Sequence, residues 1–380
     1  MMPVWMQALR LAPPKVLARR IGLVAVLFGA AGFLFAWSGL YNVAATTGHF
    51  RVTSRILEFV MRSSVATHST SITAPPLDDL DMVRLGAAHY DGGCAPCHGS
   101  PAGPNSPIIQ RMLPPPPDPA SFVLNWSNEQ LFWIVKQGLK YTGMPGWVAT
   151  ERDDEVWSVI AFLRAYPDLD ADQYAALSEG PTDMRSRSVE ELARFGSGSP
   201  VLSACVRCHG DAEAGPSSRL VPKLAGQPRE YLERALWEYA QGMRSSGIMQ
   251  PVAAELDENA ITELAAYYTG LADAPVSGLA RAAPEQVARG GEIASVGAPD
   301  AGIPACLACH RGESVPYYPV LIGQHARYIV GQLHMMRSGV RSGTAQGMTM
   351  TAIARRLNNE QIEDVAAFFE SLAPLEETEP

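Results

Sequence analysis

Cys94-Ala95-Pro96-Cys97-His98, Cys205-Val206-Arg207-Cys208-His209 and Cys306-Leu307-Ala308-Cys309-His310 are one five-residue phrase written three times. Each is C-x-x-C-H, the spacing of c-type haem attachment. Two thiols three residues apart on a helical turn reach the two vinyl groups of one porphyrin, and the His that follows faces the iron. The three runs use all six cysteines of the chain, so none is left for a disulfide. A redox-active cysteine pair needs no His after it three times over. A zinc site wants four ligands, and each run offers three, with no partner C-x-x-C or His pair nearby. The cofactor expected is three covalently bound haem c groups. Cys94, Cys97, Cys205, Cys208, Cys306 and Cys309 are the attachment points, and His98, His209 and His310 each give one iron ligand.

The length of 380 residues allows two or three domains. Runs that start 111 and 101 residues apart favour three. Thirty prolines and 33 glycines imply much loop, as in small helical proteins whose core is partly the cofactor. No strand pattern of any length is visible. The expected fold class is all-α: one N-terminal transmembrane helix followed by three small helical domains.

Residues 1–20 carry Arg10, Lys15, Arg19 and Arg20 with no acid, ahead of an apolar run from Ile21 to Trp37 that extends weakly to Ala45. That is a basic flank before roughly 20 spanning residues. The positive-inside rule keeps the first residues in the cytoplasm and sends the rest outside. The competing reading is a cleaved signal peptide, with Val43-Ala44-Ala45 as a small-residue cleavage site. The run exceeds the usual length of a signal core, so an anchor in the bacterial inner membrane, single-pass, with the haem domains on the periplasmic side, is the expectation. Residues 1–75 form this N-terminus, anchor and tether; within them Arg51 to Val65 reads as a basic amphipathic helix, for the membrane surface or for the first haem unit. Ser69 to Pro76 reads as flexible.

Charge is uneven. Residues 1–75 hold seven basic side chains and one acid, so the remaining 305 have a formal balance of −15. Nucleic acid is excluded as a partner, and a basic patch on a redox partner protein fits.

Unit one spans 76–174. A helix through Val83, Leu85, Ala88 and Tyr90 leads into Cys94, the tetraproline Pro114–Pro117 follows, Ser127 with Gln130 makes a capping box, and a last helix from about Asp153 to Ala165 stops at Pro167. Unit two (187–274) and unit three (283–373) repeat each other. Pro222-Lys-Leu-Ala-Gly226-Gln227-x-x-x-Tyr231 aligns with Pro319-Val-Leu-Ile-Gly323-Gln324-x-x-x-Tyr328, Gly242-Met-Arg244 with Gly339-Val-Arg341, and Ala265-Ala-Tyr-Tyr268 with Ala366-Ala-Phe-Phe369. Asp257 and Asn358 cap the two final helices. Arg187–Glu191 opens unit two, and Pro275–Ala283 links two to three.

A second axial ligand decides whether an iron only shuttles electrons. Met144 stands in a Gly-Met-Pro loop. Met249 and Met350 both stand 40 residues after their haem His, whereas Met243 aligns with Val340, which cannot bind iron. Met335, Met336 and Met348 have no counterpart in unit two. The metal ligands expected are therefore His98 with Met144, His209 with Met249 and His310 with Met350, the methionines in loops ahead of each final helix. His49, His68, His89, His325 and His334 read as surface or haem-edge residues. A haem His donates its second nitrogen to a backbone carbonyl; Pro222, Pro319 and a residue within Pro114–Pro117 are the candidates.

With these motifs the sequence resembles the class I cytochrome c superfamily over residues 80–373. Units two and three are similar to tandem dihaem cytochromes, and unit one, with Thr142-Gly-Met-Pro145, to monohaem domains. The resemblance implies a membrane-anchored trihaem cytochrome c that transfers electrons as a subunit of a dehydrogenase complex feeding the respiratory chain. The alternatives are a tethered carrier or subunit feeding a terminal oxidase, and an oxidoreductase with a substrate site of its own. A methionine for every iron argues against intrinsic catalysis.

Overall fold

The computed structural model describes residues 13–178, 200–212, 214–272, 282–311 and 315–372. Arg10, the opening of unit two at Arg187–Glu191 and most of the Pro275–Ala283 linker lie outside them. Among the described residues there is no strand, only isolated bridges at Ser100–Gly103 and Ala298–Ile303. The chain clusters into two compact units, Met1–Ile56 with Arg111–Pro115, and Leu57–Gln110 with Pro116–Pro380.

Helix α1, Pro14–Trp37, starts on a proline that needs no amide partner and buries no side chain. Its 24 residues rise about 36 Å, enough for a hydrocarbon layer of about 30 Å. By length and composition it can cross a membrane, and a signal sequence passes the same test. It stops at Trp37, where the Ser38 N–H closes the last turn on Leu34. The weakly apolar stretch to Ala45 is therefore not helical.

Helix α2, Arg51–His68, has two characters. Val52, Ile56, Phe59 and Val60 are exposed. Towards its end Val65 is fully buried, Arg62 lies over the Trp126 ring at 5.1 Å, and His68 stacks on Trp133 at 5.5 Å. The following residues, expected to be a flexible tether, instead lay Ile72 and Ala74 against the first hydrophobic core.

That core is built by α3 (Leu80–Gly93), the attachment turn α4 (Ala95–His98), α5 (Asn128–Gln137), α6 (Asp153–Ala165) and α7 (Ala171–Ser178). The Ser127–Gln130 capping box forms with both of its hydrogen bonds, and α6 has the boundaries its sequence predicts. Tyr90, Leu131, Val156, Ile160 and Phe162 are fully buried, each aliphatic or Phe side chain stabilising by about 1.5–3 kcal/mol. The second core joins α8 (Pro200–His209), α9 (Arg229–Ala240) and α11 (Glu258–Thr269) around Leu202, Leu264 and Tyr268, and α10 (Met249–Ala254) packs on α9. The third joins α12 (Pro284–Ser295), α13 (Leu307–His310), α14 (Ala326–Ser338), α15 (Ala345–Ala354) and α16 (Asn359–Ser371) around Ile303, Ile362 and Phe369.

First and third cores share a close helix crossing. A Cβ on Gly86 of α3 would stand 2.0 Å from the Ser158 carbonyl oxygen of α6, and one on Gly290 of α12 would stand 1.9 Å from that of Asp364 of α16. Only glycine admits this approach. The repeat of units two and three is also visible in hydrogen bonds: Gly226 N–H donates to Tyr268 O at 3.1 Å, and the aligned Gly323 N–H donates to Phe369 O at 2.9 Å. Glutamines then cross between the two. Gln227 donates to Val320 O (2.8 Å) and accepts from Val320 N–H (3.0 Å); Gln324 donates to Lys223 O (3.0 Å) and accepts from Lys223 N–H (2.9 Å).

The start of α3 ties all three cores together. Asp81 accepts from the Arg219 backbone and guanidinium, both at 3.0 Å, and from Arg327 at 2.7 Å, while Asp79 also pairs with Arg327. Arg327 holds the Asp79 carboxyl below its ordinary range. Burial pushes Asp81 up, but the Arg219 amide and the two guanidiniums outweigh it, and its carboxyl also sits low.

Candidate haem-binding sites

Each C-x-x-C-H run sits on a helical turn, as the spacing requires. His98 N–H bonds to Cys94 O at 2.9 Å and His310 N–H to Cys306 O at 3.0 Å, and His209 closes α8. All six cysteines are free. Burial, then the neighbouring thiol, pushes Cys94 and Cys205 up to about 12. For Cys306 burial is again the first cause and the result is about 11. A redox-active pair presents a thiolate at neutral pH, and these environments oppose one. Nor do the described residues gather three His, Cys, Asp or Glu groups into a metal cluster.

The three histidines are oriented alike. The Nδ1 of His98 lies 2.8 Å from Pro117 O, that of His209 3.0 Å from Pro222 O, and that of His310 2.9 Å from Pro319 O. Pro117 is thus the member of the tetraproline that the sequence left open. A carbonyl can only accept, so Nδ1 carries the proton and Nε2 keeps its lone pair. Burial lowers the proton affinity of His209 and His310, which keeps both rings neutral and able to ligate.

Met144 lies in a compact turn between α5 and α6. Its N–H donates to Thr142 Oγ1 at 3.1 Å, and that hydroxyl donates to Leu139 O at 2.7 Å. Met249 and Met350 are not in loops, as expected from sequence, but on short helices: Met249 is the first residue of α10, and Met350 is inside α15, packed on the third core. The difference comes from hydroxyls ahead of each helix, of which only Thr344 is itself an N-cap. Ser246 Oγ accepts from Met249 N–H at 3.0 Å, and Thr344 Oγ1 from Gly347 N–H at 3.0 Å. Met243 and Met348 are exposed and Met336 is buried in the third core. His325 is buried, not superficial, because the turn before it is pinned by the Gly323 and Gln324 bonds just described.

The residues fit a large apolar group with an iron and carboxylates. The first cysteine of each run, Cys94, Cys205 and Cys306, packs against an apolar core. Arg207 Nε within the second run and Thr351 Oγ1 beside Met350 are buried without a hydrogen-bond partner. Between the second and third cores Arg244 is buried over the Tyr239 ring at 4.5 Å and donates to Tyr328 at 3.0 Å. Burial pushes the Tyr231 phenol up, but Arg244 and Arg341 together pull it below its ordinary value, the mark of a positive pocket.

Residues 81–163 match the family described as cytochrome c oxidase, cbb3-type, subunit III. A thiosulfate dehydrogenase electron acceptor of Thiomonas intermedia is 34% identical over 182 residues, 46% of this chain and 81% of that protein. The chain belongs to the cytochrome c family. Membership carries covalently bound haem c with it. A cytochrome c4 of Thiocapsa roseopersicina is 33% identical over 174 residues, 44% of this cytochrome and 87% of its relative. A solved cytochrome c4 of Acidithiobacillus ferrooxidans is 34% identical and covers 44% of this chain and 98% of its own, with a TM-score of 0.40.

The sequence reading missed the residues that bind the cores to one another: Asp79, Asp81, Arg219 and Arg327, and a second group around Glu155. Gln227 and Gln324 lay inside the repeat motif, and their matched positions were a usable signal.

Proposed function

We propose that this cytochrome carries three haem c groups, on domains 76–174, 187–274 and 283–373, and passes electrons without a substrate site of its own. Cys94 and Cys97, Cys205 and Cys208, and Cys306 and Cys309 attach them. His98 with Met144, His209 with Met249 and His310 with Met350 hold the irons. The observation that carries the reading is the threefold recurrence of C-x-x-C-H with its His held on a proline carbonyl at 2.8, 3.0 and 2.9 Å. When bound, haem supplies a one-electron couple whose potential depends on axial ligation and surroundings. The chain's part is to fix each imidazole as a neutral Nε2 ligand, to exclude water with the three cores, and to set Arg244 and Arg341 where negative charge is stabilised.

In this reading α1 is retained as a single-pass anchor in the bacterial inner membrane, the basic flank lies in the cytoplasm, and the haem domains face the periplasm. The electron donor is a dehydrogenase; the relatives named as thiosulfate dehydrogenase electron acceptors support that class. The −15 balance of residues 76–380 suits a donor with a basic docking face. The match of residues 81–163 to an oxidase subunit favours a second reading, delivery of electrons to a terminal oxidase.

A pyridine haemochrome assay on the purified full chain tests the core of the proposal. Three haems per chain that survive acid-acetone extraction are expected, and two or fewer after complete maturation would sink it.

A further inference from the structure

Residues 245–247, ahead of Ile248 and Met249, are held from outside their own repeat. Ser245 O accepts from Arg152 at 3.0 Å, and Ser245 Oγ donates to Glu151 at 3.1 Å. Ser246 Oγ donates to Glu155 Oε1 at 2.6 Å, and Gly247 N–H donates to Glu155 Oε2 at 2.7 Å. The same Ser246 hydroxyl accepts from Ile248 N–H at 3.2 Å and from Met249 N–H at 3.0 Å. Glu155 belongs to α6 of the first core, is only 3% exposed, and pairs with Arg152 at 2.9 Å. It also accepts from Trp147 Nε1 at 3.2 Å, and the Trp147 ring lies so close that a Cβ on Gly247 would stand 2.1 Å from it. Trp147 is three residues after Met144, so one buried carboxylate touches the loops of two of the methionines.

The third repeat is built differently. There the Gly339-Val-Arg341 motif is followed by four more residues before its methionine than in the second repeat. The extra length gives Thr344, which caps a ten-residue α15, whereas α10 has six residues. The shorter repeat borrows the fixing that the longer one makes for itself.

We propose that Glu155 is a positioning residue for Met249: through Ser246 and Gly247 the first domain sets how firmly the second domain's methionine is presented to its iron. This rests on the assignment of Met249 as a ligand. Charge-assisted hydrogen bonds to a buried carboxylate are the strong class, and their loss is felt by whatever they hold. Among the described residues of the first domain that hold 245–247, Glu155 is the most deeply buried and Arg152, paired with it, the next.

The test uses the full chain in detergent, with haem content measured first. Met249→Ala identifies the second haem as the one that becomes open to carbon monoxide. Glu155→Gln keeps the shape of the side chain and removes its charge; Ser246→Ala removes the relay and leaves the first domain intact. Each should raise the carbon-monoxide-reactive fraction of that same haem about tenfold, the equivalent of one charge-assisted hydrogen bond. Each should also weaken its sulfur-to-iron absorption and lower its potential, and the double variant should go little further than either single one. If the haem identified by Met249→Ala keeps wild-type potential and carbon monoxide reactivity in both variants, or if their effects simply add, the proposal is overturned. If Met249→Ala opens no haem, the ligand assignment itself falls and this inference falls with it.

Discussion

A proline carbonyl serves each of the three histidines, and the choice has a chemical logic. It accepts the Nδ1 proton without competing for iron, so the imidazole is held in one tautomer and one plane. For His209 and His310 this was legible, because Pro222 and Pro319 stand at matched places in a repeat; for His98 the sequence left the choice within Pro114–Pro117 open. The setting of the methionines was not legible, since it depends on two hydroxyls, Ser246 and Thr344, that resemble any other loop serine or threonine. The burial of His325 was equally hidden: the residues that enclose it come from distant parts of the chain. If Met249 is a ligand, Met249→Ala should open one haem to carbon monoxide and lower its potential, because a thioether favours reduced iron. Met243→Ala should do neither, its side chain being 42% exposed. A redox titration of the two variants side by side checks this, and equal behaviour would reject the assignment.

Helix boundaries were the most legible elements. Caps at Ser127, Asp257 and Asn358 are local chemistry, and each forms as read. Which helices cross, and how closely, is tertiary information. Gly290 illustrates it: the residue lowers helix propensity and gains its place only from the Asp364 carbonyl beneath it. Gly290→Ala should therefore cost about 1–3 kcal/mol by overpacking, seen as a lower melting temperature with haem content unchanged. Helix α2 is the other case. Its composition fitted a membrane surface or a protein surface, and its last turns are on the protein. Val65→Ala, at a fully buried position, should cost about 2 kcal/mol, whereas Val52→Ala, on the exposed half, should leave the melting temperature where it is. Release of the full chain from membranes should need detergent; recovery of a mature chain beginning near Thr46 from the periplasm would show that α1 is a cleaved signal.

Across the whole molecule, acid stability should be set by the contacts at the start of α3. Asp79 and Asp81 have carboxyls held below the ordinary value, so their contribution is complete above about pH 4 and is lost as pH falls through the lowered values. His325 adds a higher window. Burial, then Lys223, holds it down to about 4, so the folded state resists a proton that the unfolded chain takes up near 6.5, and stability declines between those limits. Unfolding midpoints measured from pH 7 to 3 should fall in these two stages; His89, held down to about 4 by burial and then by Arg207, adds to the upper one, so His325→Gln should shrink that stage without removing it. Arg327→Ala should cost about 1–2 kcal/mol at pH 7, a charged hydrogen-bond loss discounted for partial exposure, with most of the difference gone at pH 3. None of these pairings could be seen in the sequence, where 248 residues separate Asp79 from Arg327. The crossed glutamines carry a different kind of consequence. Gln227 and Gln324 each give and take a hydrogen bond with the backbone of the other repeat, at the residue directly after the proline that holds His310 or His209. Only an amide of that length gives and takes at once, so a change at either glutamine is felt in the opposite repeat: losing Gln227 releases the Val320 backbone, and losing Gln324 releases that of Lys223.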